Sequence, residues 1–474
     1  MLKPNTTQAF SVKRAEVEFH NFAALGELDR ALSVYGHENV NRGMIIRNHA
    51  AFIGGMTPFL EVGANAGHTS YMLANEFGQS GFALDISADA LKAGRALMEH
   101  WKLNRAPVRV AGDAAHLPFR DGSLRFVMTY QTLSQFMDIE KIFVEIKRVL
   151  APGGVFLLAE EPLLRQLSLR LYRAPYYNLM KPWEKKLYDN GLLGYLVKDV
   201  IGADQEESFG IRQNHSMYLK DWDRLIKKHF VAQEYELFVP ERGWGEKIVK
   251  DRAGSAWKAA HLLGGTLAAM CRKEGTLPDT FPDMADFEMY LQCPDCQGSF
   301  RKEATGNLVC RMCGYRAPVE DETYTILTTE ERAELYPGDR ADIIDMSVEG
   351  HTAKLGSGWN EVQGTGGAQY RWIGAEASAT LERVKQIPQK LRIRGHIHKL
   401  SFDSAKVVKF EAIVNGQSLG VQEYSRADLF VYERDLPPAP TYDVVMRPAP
   451  TFTCPPDRRE LSVSVSMIRL IPRE

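Results

Sequence analysis

The sequence is poor in cysteine. It has six among 474 residues, and four of these are bunched as Cys293, Cys296, Cys310 and Cys313. That scarcity excludes a secreted disulfide framework and points to a reducing, cytoplasmic compartment. Long apolar runs are missing too. None approaches the ~18 residues that a helix needs to span a bilayer, so no membrane span is expected. The opening MLKPNTTQAFSVKRAEVEFH has no apolar core followed by a small-residue cleavage site, and does not read as a signal peptide. A charge excess is also absent: 58 Lys and Arg face 60 Asp and Glu, for a net charge of −2. Such a balance gives no overall push toward nucleic acid or membrane. There is no internal repeat and no low-complexity tract.

What remains is an ordinary soluble composition, 45% hydrophobic and 25% charged. At ~150 residues per domain the length allows about three domains. Residues 1–57 form an N-terminal segment that reads as helical, with apolar residues recurring through Phe22, Leu25, Leu28 and Leu32, then Met44, Ile45 and Ala51. From Pro58 the chain alternates PFLEVG, GFALDIS, VRVAGD, LRFVMTYQTL and GVFLLAEE with helical stretches such as ADALKAGRALMEHW and IEKIFVEIKRVL. That alternation implies a parallel sheet covered on both faces, an α/β doubly wound fold. This domain is expected over 58–275, with a mostly helical insertion at about 163–235. Residues 274–283 and 336–350 read as linkers. From about 351 to 474 short β segments follow one another, with Asn415-Gly416 as a hairpin signal, so a β-sandwich is expected.

The first chemical motif is Glu61-Val62-Gly63-Ala64-Asn65-Ala66-Gly67, a strand running into a glycine-bearing turn and then a helix. Gly63 and Gly67 let a ligand approach the backbone closely, and the following helix N-terminus offers free N–H groups. Asp85 ends the next strand, where a carboxylate can accept both hydroxyls of a ribose. To this point a nicotinamide nucleotide and a sulfonium nucleoside fit alike. Three details tilt the choice. No glycine stands where a pyrophosphate would press on the chain. Glu61 would repel phosphate but suits the ammonium of a methionine moiety. Gly112-Asp113 closes the third strand, where a carboxylate can take an adenine amino group.

Four segments in order, LEVGANAG (60–67), ALDIS (83–87), AGDAAHLPFRDGSLRFV (111–127) and RVLAPGGVFLLAEE (148–161), resemble the class I S-adenosylmethionine-dependent methyltransferases. The resemblance implies a Rossmann-like seven-stranded sheet. It implies that Glu61, Gly63 and Gly67 hold the methionine end, that Asp85 holds the ribose and that Asp113 faces adenine. Asn65, Ile86, Ala114 and Tyr130 complete the expected cofactor-binding set. Asn65 departs from the commoner glycine, and Asn tolerates left-handed backbone.

Methyl transfer needs an acceptor held in line and, for an alcohol, a base. Candidates at the sheet's edge are Tyr130, Gln131, Glu160 and Glu161, with His215 and Tyr218 from the insertion. His215 is the expected base because its ordinary pKa lies near neutrality; Glu160 and Tyr130 complete the expected catalytic set. His68 and His116 read as local packing or hydrogen-bonding residues. No Asn-Pro-Pro-Tyr-like signature follows the fourth strand, which argues against exocyclic base nitrogens or glutamine amides as acceptors.

Cys293-Pro-Asp-Cys296 and Cys310-Arg-Met-Cys313 are two C-x-x-C knuckles separated by thirteen residues. Together they offer four thiolates to one tetrahedral ion, so a structural zinc ribbon is expected over 286–335, with iron or a redox dithiol as alternatives. This stretch resembles the zinc-binding activator subunit of several RNA and protein methyltransferases, and zinc ribbons fused to bacterial methyltransferases. It carries ten acids and five bases, which argues against a nucleic-acid platform and for a brace. The C-terminal region, with Trp359, Tyr370 and Trp372 near glycine-rich turns, resembles β-sandwich modules beside bacterial glycan-pathway enzymes. The expected function is therefore methylation of a hydroxyl on a saccharide, glycan precursor or related small molecule. RNA or protein methylation, and a non-catalytic scaffold, stand as the alternatives.

Overall fold

The computed structural model describes residues 13–14, 16–18 and 28–473, apart from 137, 170, 176–179, 191, 202–216, 242–244, 250–254, 365–368, 426, 455 and 457. The chain divides into two compact units. One comprises Gly26–Leu169 and Phe209–Ala333. The other comprises Met1–Leu25, Arg170–Ser208 and Glu334–Glu474. Among the described residues no helix is long and apolar enough to cross a membrane.

The first unit is built on one sheet. Its strands are β1 (Phe59–Val62), β2 (Gly81–Asp85), β3 (Val108–Ala111), β4 (Leu124–Tyr130), β5 (Leu150–Leu163), β6 (Ala232–Glu241), β7 (Gly245–Val249), β8 (Gly265–Arg272), β9 (Val319–Glu320) and β10 (Thr323–Thr325). Their spatial order is β9-β10-β3-β2-β1-β4-β5-β8-β6-β7. Strands β1 to β5 run parallel, whereas β8 is antiparallel to both β5 and β6. Every residue of β1 and β2 is buried, as expected where helices cover both faces. Successive residues feed two different cores. Leu60, Val127, Phe156 and Leu158 belong to one, and Phe59, Phe126, Val155 and Leu157 to the other.

Five helices matter for the site: α1 (Leu28–Asn48), α2 (His68–Glu76), α3 (Ala88–Lys92), α4 (Ile139–Val149) and α5 (Leu219–His229). In α4 the buried residues Ile139, Ile142, Phe143, Ile146 and Val149 follow the helical repeat. Asp138 caps its start by accepting the Lys141 amide at 3.1 Å.

Three expectations need correction. Among the described residues the sheet has ten strands rather than seven, because β7 extends one edge and β9–β10 the other. The added β10 pairs in parallel with β3, Tyr324 opposite Val110. Among its described residues the insertion is not helical throughout: Tyr172–Pro175 pairs with Val197–Ile201, and Arg170–Ser208 groups with the second unit. Aromatic residues favour the extended form, Pro175 cannot continue a helix, and Pro182 starts the helix Pro182–Asp189. The stretch 336–350 is not wholly linker. Ile343–Asp345 pairs with Val463–Pro472, burying Ile343 and Ile344.

In the second unit two antiparallel sheets enclose one apolar cluster. Ile373, Leu391, Ile393, Val463 and Val465 come from the larger sheet, and Leu381, Phe410, Val444 and Met446 from the smaller. Asn415 and Gly416, with φ of 50° and 81°, turn Val408–Val414 into Gln417–Tyr424. The carboxylate of Glu18 is buried against the larger sheet. It lies 3.3 Å from Arg392, 3.1 Å from Arg394 and 3.1 Å from Arg469. Burial pushes its pKa up, but the arginines outweigh this and hold it at about 2.

A prediction follows for stability. Removing one partner of a buried charge cluster leaves the others uncompensated, so Glu18→Ala is expected to cost about 3–5 kcal/mol. The stabilisation is complete above the ordinary value of 4.5 and is lost as pH falls toward 2. Urea unfolding of wild type and variant should therefore differ most near neutrality and converge at low pH. A constant difference across that range would contradict the assignment.

Candidate active site and metal centre

The turn after β1 is set by three left-handed residues: Gly63 (φ 72°), Asn65 (φ 52°) and Gly67 (φ 79°). A Cβ on Gly63 would lie 2.4 Å from Cγ2 of Thr132, so only glycine fits there. At Gly67 a Cβ would meet nothing closer than 3.4 Å, and its requirement is conformational: it caps α2 in the left-handed form. Asn65 reaches the same region without being glycine.

Three nearly buried carboxylates stand toward the C-terminal ends of adjacent parallel strands. Glu61, in β1, accepts the Ser70 amide at 2.9 Å and its hydroxyl at 2.5 Å. Asp85, ending β2, accepts the amides of Asn65 at 2.8 Å and Ser87 at 2.9 Å. Ile86 beside it is half-buried. Asp113, just past β3, accepts the Ala115 amide at 3.0 Å, and its other oxygen lies 3.0 Å from Nδ1 of His116. Ala114 is buried. Burial raises the pKa of Glu61, while His68, Ser70 and Arg42 draw it back. Such a site gains from a cation that restores the charged form.

Helix α1 supplies residues that motif reasoning did not find. Arg42 forks onto Glu160, with Nε to Oε1 at 3.1 Å and Nη2 to Oε2 at 2.7 Å. Its Nη1 donates to Thr69 at 2.8 Å, and its guanidinium lies 4.4 Å from the centre of the Tyr130 ring. Glu38 pairs with Arg42 at 3.3 Å and with His68 at 2.8 Å, and Tyr35 stacks on His68. Tyr35, Glu38 and Arg42 lie three and four residues apart, on one helix face. That spacing was the available signal.

Glu160 (φ 61°) and Gln131 (φ 50°) both hold left-handed backbone at the strand ends, a costly conformation for such residues and one that clusters at working sites. The Tyr130 hydroxyl is buried with no hydrogen-bond partner among the described residues, and burial drives its pKa far above the ordinary 10. It can donate a proton to a hydrogen bond but cannot act as a base near neutrality. Glu161 points into the protein and accepts the amides of Thr132, Leu133 and Ser134 at 3.0, 2.8 and 3.1 Å. Burial pushes it up to about 7 against those amides. Its role is to cap the turn that presses Thr132 on Gly63. His215 lies outside the described residues, and Tyr218 stands at the start of α5. The structure thus gathers Glu61, His68, Tyr130 and Glu160 around Arg42, and places Asp113 with His116 at the tip of β3.

The four clustered cysteines converge. Sulfur separations are 3.7 Å for Cys293–Cys313 and 3.5 Å for Cys296–Cys310, and all four sulfurs lie within 4.8 Å of one another. A tetrahedron with metal–sulfur bonds of about 2.3 Å has edges of about 3.8 Å. The donor set therefore fits a closed thiolate site. A Cβ on Gly298 would press on Cys310 Sγ at 2.9 Å, so glycine is needed there. In the second unit Trp372 packs among Tyr370, His398 and Phe452 at ring distances of 6.3, 5.8 and 6.0 Å. The Trp359 indole donates to the Ser378 carbonyl at 2.7 Å.

A family model described as a methyltransferase domain matches residues 60–158, the span that carries all three acids, the glycine turn and β4. Residues 60–158 thus form a methyltransferase domain. Norajmaline N-methyltransferase of Rauvolfia serpentina is 28% identical over 39% of this chain and 64% of its own length. A demethylmenaquinone methyltransferase of Listeria welshimeri is 34% identical over 21% of this chain and 42% of its own. A malonyl-[acyl-carrier protein] O-methyltransferase of Geobacter sulfurreducens is 32% identical over 23% and 40%. The chain thus spans less than two thirds of each of these relatives. A methyltransferase of solved structure from Thermotoga maritima, a possible histamine N-methyltransferase, matches 54% of this chain and 98% of its own at 14% identity, with a TM-score of 0.33.

The methyltransferase domain's turn is directly testable. Left-handed backbone costs a side-chain-bearing residue roughly 1–2 kcal/mol, so Gly63→Ala should weaken S-adenosylhomocysteine binding about tenfold or more, read by calorimetry. Unchanged affinity would show that the turn does not face the ligand.

Proposed function

We propose that the protein transfers the methyl group of S-adenosylmethionine to a hydroxyl of a saccharide, glycan precursor or related small molecule. The observation that carries the cofactor reading is the row of buried acids, Glu61, Asp85 and Asp113, across the tips of β1, β2 and β3 beside a turn that excludes a Cβ. When bound, the cofactor supplies an electrophilic methyl group. Glu61 holds the ammonium, Asp85 the ribose hydroxyls and Asp113 the adenine amino group, with Gly63, Asn65, Gly67, Ile86, Ala114 and Tyr130 completing the cradle. Tyr130 contributes a hydrogen-bond donor. Glu160, held by Arg42, orients the acceptor as a hydrogen-bond acceptor. His215 would take the hydroxyl proton as the acceptor oxygen bonds to the methyl carbon and the carbon–sulfur bond breaks, with S-adenosylhomocysteine as the leaving group.

Zinc at Cys293, Cys296, Cys310 and Cys313 plays a structural part, since four thiolates leave no open position. The acidic balance of this module supports a small-molecule or glycan acceptor over nucleic acid. The saccharide reading rests on the C-terminal β-sandwich and its half-buried aromatics. The free cysteines support a cytoplasmic location.

Calorimetry tests the cofactor. Wild type should bind S-adenosylmethionine, and Asp85→Ala should lose at least about tenfold in affinity. Equal, negligible heats would end the proposal. Metal analysis tests the zinc: one equivalent in wild type should disappear in Cys293→Ser, and unchanged content would remove the assignment. For the acceptor, label from methyl-labelled cofactor in cell-extract fractions should enter saccharide. Label in RNA or protein would replace that reading.

A further inference from the structure

The cysteine module does not hang from the methyltransferase sheet. The chain that leaves it, residues 319–331, forms the sheet's outer edge and passes the tip of β3, where Asp113 stands. Three ties fix its path. β10 pairs with β3, and the Ile326 amide donates to the Ala111 carbonyl at 2.8 Å. From the first knuckle, Asp295 accepts the Thr329 amide at 2.9 Å and its hydroxyl at 2.6 Å. From the second, the buried Tyr315 hydroxyl donates to the Leu327 carbonyl at 2.6 Å.

Both tying residues are fixed by the knuckles themselves. Asp295 stands between Cys293 and Cys296 in the chain, and the Tyr315 carbonyl accepts the Cys310 amide at 2.8 Å. The ties end beside Glu331, a buried residue of the helix Thr329–Leu335. Its carboxylate also accepts the Thr328 amide and hydroxyl, at 3.2 and 3.0 Å. The side-chain ligand atoms of Glu331, Asp113 and His116 all lie within 4.8 Å of one another.

We infer that the four-cysteine module is the outer wall of the adenine subsite: it positions Glu331 beside Asp113, so that metal occupancy sets affinity for the adenosyl group. This rests on the cofactor and zinc readings above. The physical reason is local. Without a metal no bond joins the four sulfurs across the two knuckles, which are then held only by backbone hydrogen bonds such as Arg311 amide to Ser299 carbonyl at 2.9 Å, and Asp295 and Tyr315 are less firmly placed. Glu331 then loses its place, whereas Glu61 and Asp85, held by bonds within the sheet and its turns, do not. Asp295, Tyr315 and Glu331 act as positioning residues.

The coupling is reciprocal by thermodynamic necessity. If zinc strengthens S-adenosylhomocysteine binding by some factor, S-adenosylhomocysteine must strengthen zinc binding by the same factor.

The test uses the full chain and two readouts. S-adenosylhomocysteine is titrated calorimetrically into the zinc-loaded protein, the protein stripped by chelator, and the stripped protein reloaded with zinc. Zinc release to a chromogenic chelator is followed with and without S-adenosylhomocysteine. Stripping should weaken S-adenosylhomocysteine about tenfold and reloading should restore it, with zinc held correspondingly tighter in its presence. The double variant Asp295→Ala/Tyr315→Phe keeps every cysteine. It should retain one zinc per chain and yet bind S-adenosylhomocysteine several-fold more weakly, with the reciprocal effect on zinc reduced. Equal S-adenosylhomocysteine affinity in loaded, stripped and double-variant protein would overturn the inference. Loaded wild type that binds no S-adenosylhomocysteine would instead overturn the cofactor reading, and chain that takes up no zinc would overturn the metal reading. Each of these removes the coupling by a different route.

Discussion

Asp85 joins two neighbouring strands at the point where the site begins. One oxygen takes the Asn65 amide from the turn after β1, and the other takes the Ser87 amide after β2. A buried carboxylate is costly without such donors, and a left-handed turn is costly without an anchor. Each offsets the other's cost. The result is a backbone loop held open in front of α2, with Gly63 bare where any side chain would strike Thr132. Glu161 works from the far side, capping the turn that carries Thr132. The crevice is thus set by backbone amides and buried acids, and its shape does not depend on mobile surface groups.

Helix α1 adds a second layer. Arg42 reaches the tips of α2, β4 and β5 through Thr69, Tyr130 and Glu160, while Glu38 bridges Arg42 and His68. This network commits Glu160 to an ion pair and leaves Tyr130 as a neutral donor. The proton acceptor for an alcohol substrate must therefore come from elsewhere, and His215 remains the proposed one. The three relatives described above are named for different kinds of acceptor.

Strands β1 to β5 were legible because strands covered on both faces read as unbroken apolar runs, such as FLEV and GFALD. The glycine turn and the three acids were legible because their spacing is local. The four cysteines were legible as two short motifs that converge on one centre. β10 was not. It is three residues long, and its hairpin turns through Asp321 and Glu322 at φ of 45° and 58°. The usual Asn-Gly signal is missing there, and its partner β3 lies more than two hundred residues earlier. Arg42 was hidden for the same reason, since Glu160 lies 118 residues away. The pair Tyr172–Pro175 and Val197–Ile201 was not legible because each strand is only four or five residues long and their pairing spans more than twenty residues of intervening chain.

The central claim is that the acid-lined tips of β1, β2 and β3 grip one nucleoside. Hydrogen–deuterium exchange of the full chain, with and without saturating S-adenosylhomocysteine, tests it most directly. Added protection is expected together at the amides of residues 63–70, 85–87 and 113–116, the three places where the acids stand. Exchange that is unchanged at all three, or slowed only in the C-terminal unit, would contradict it.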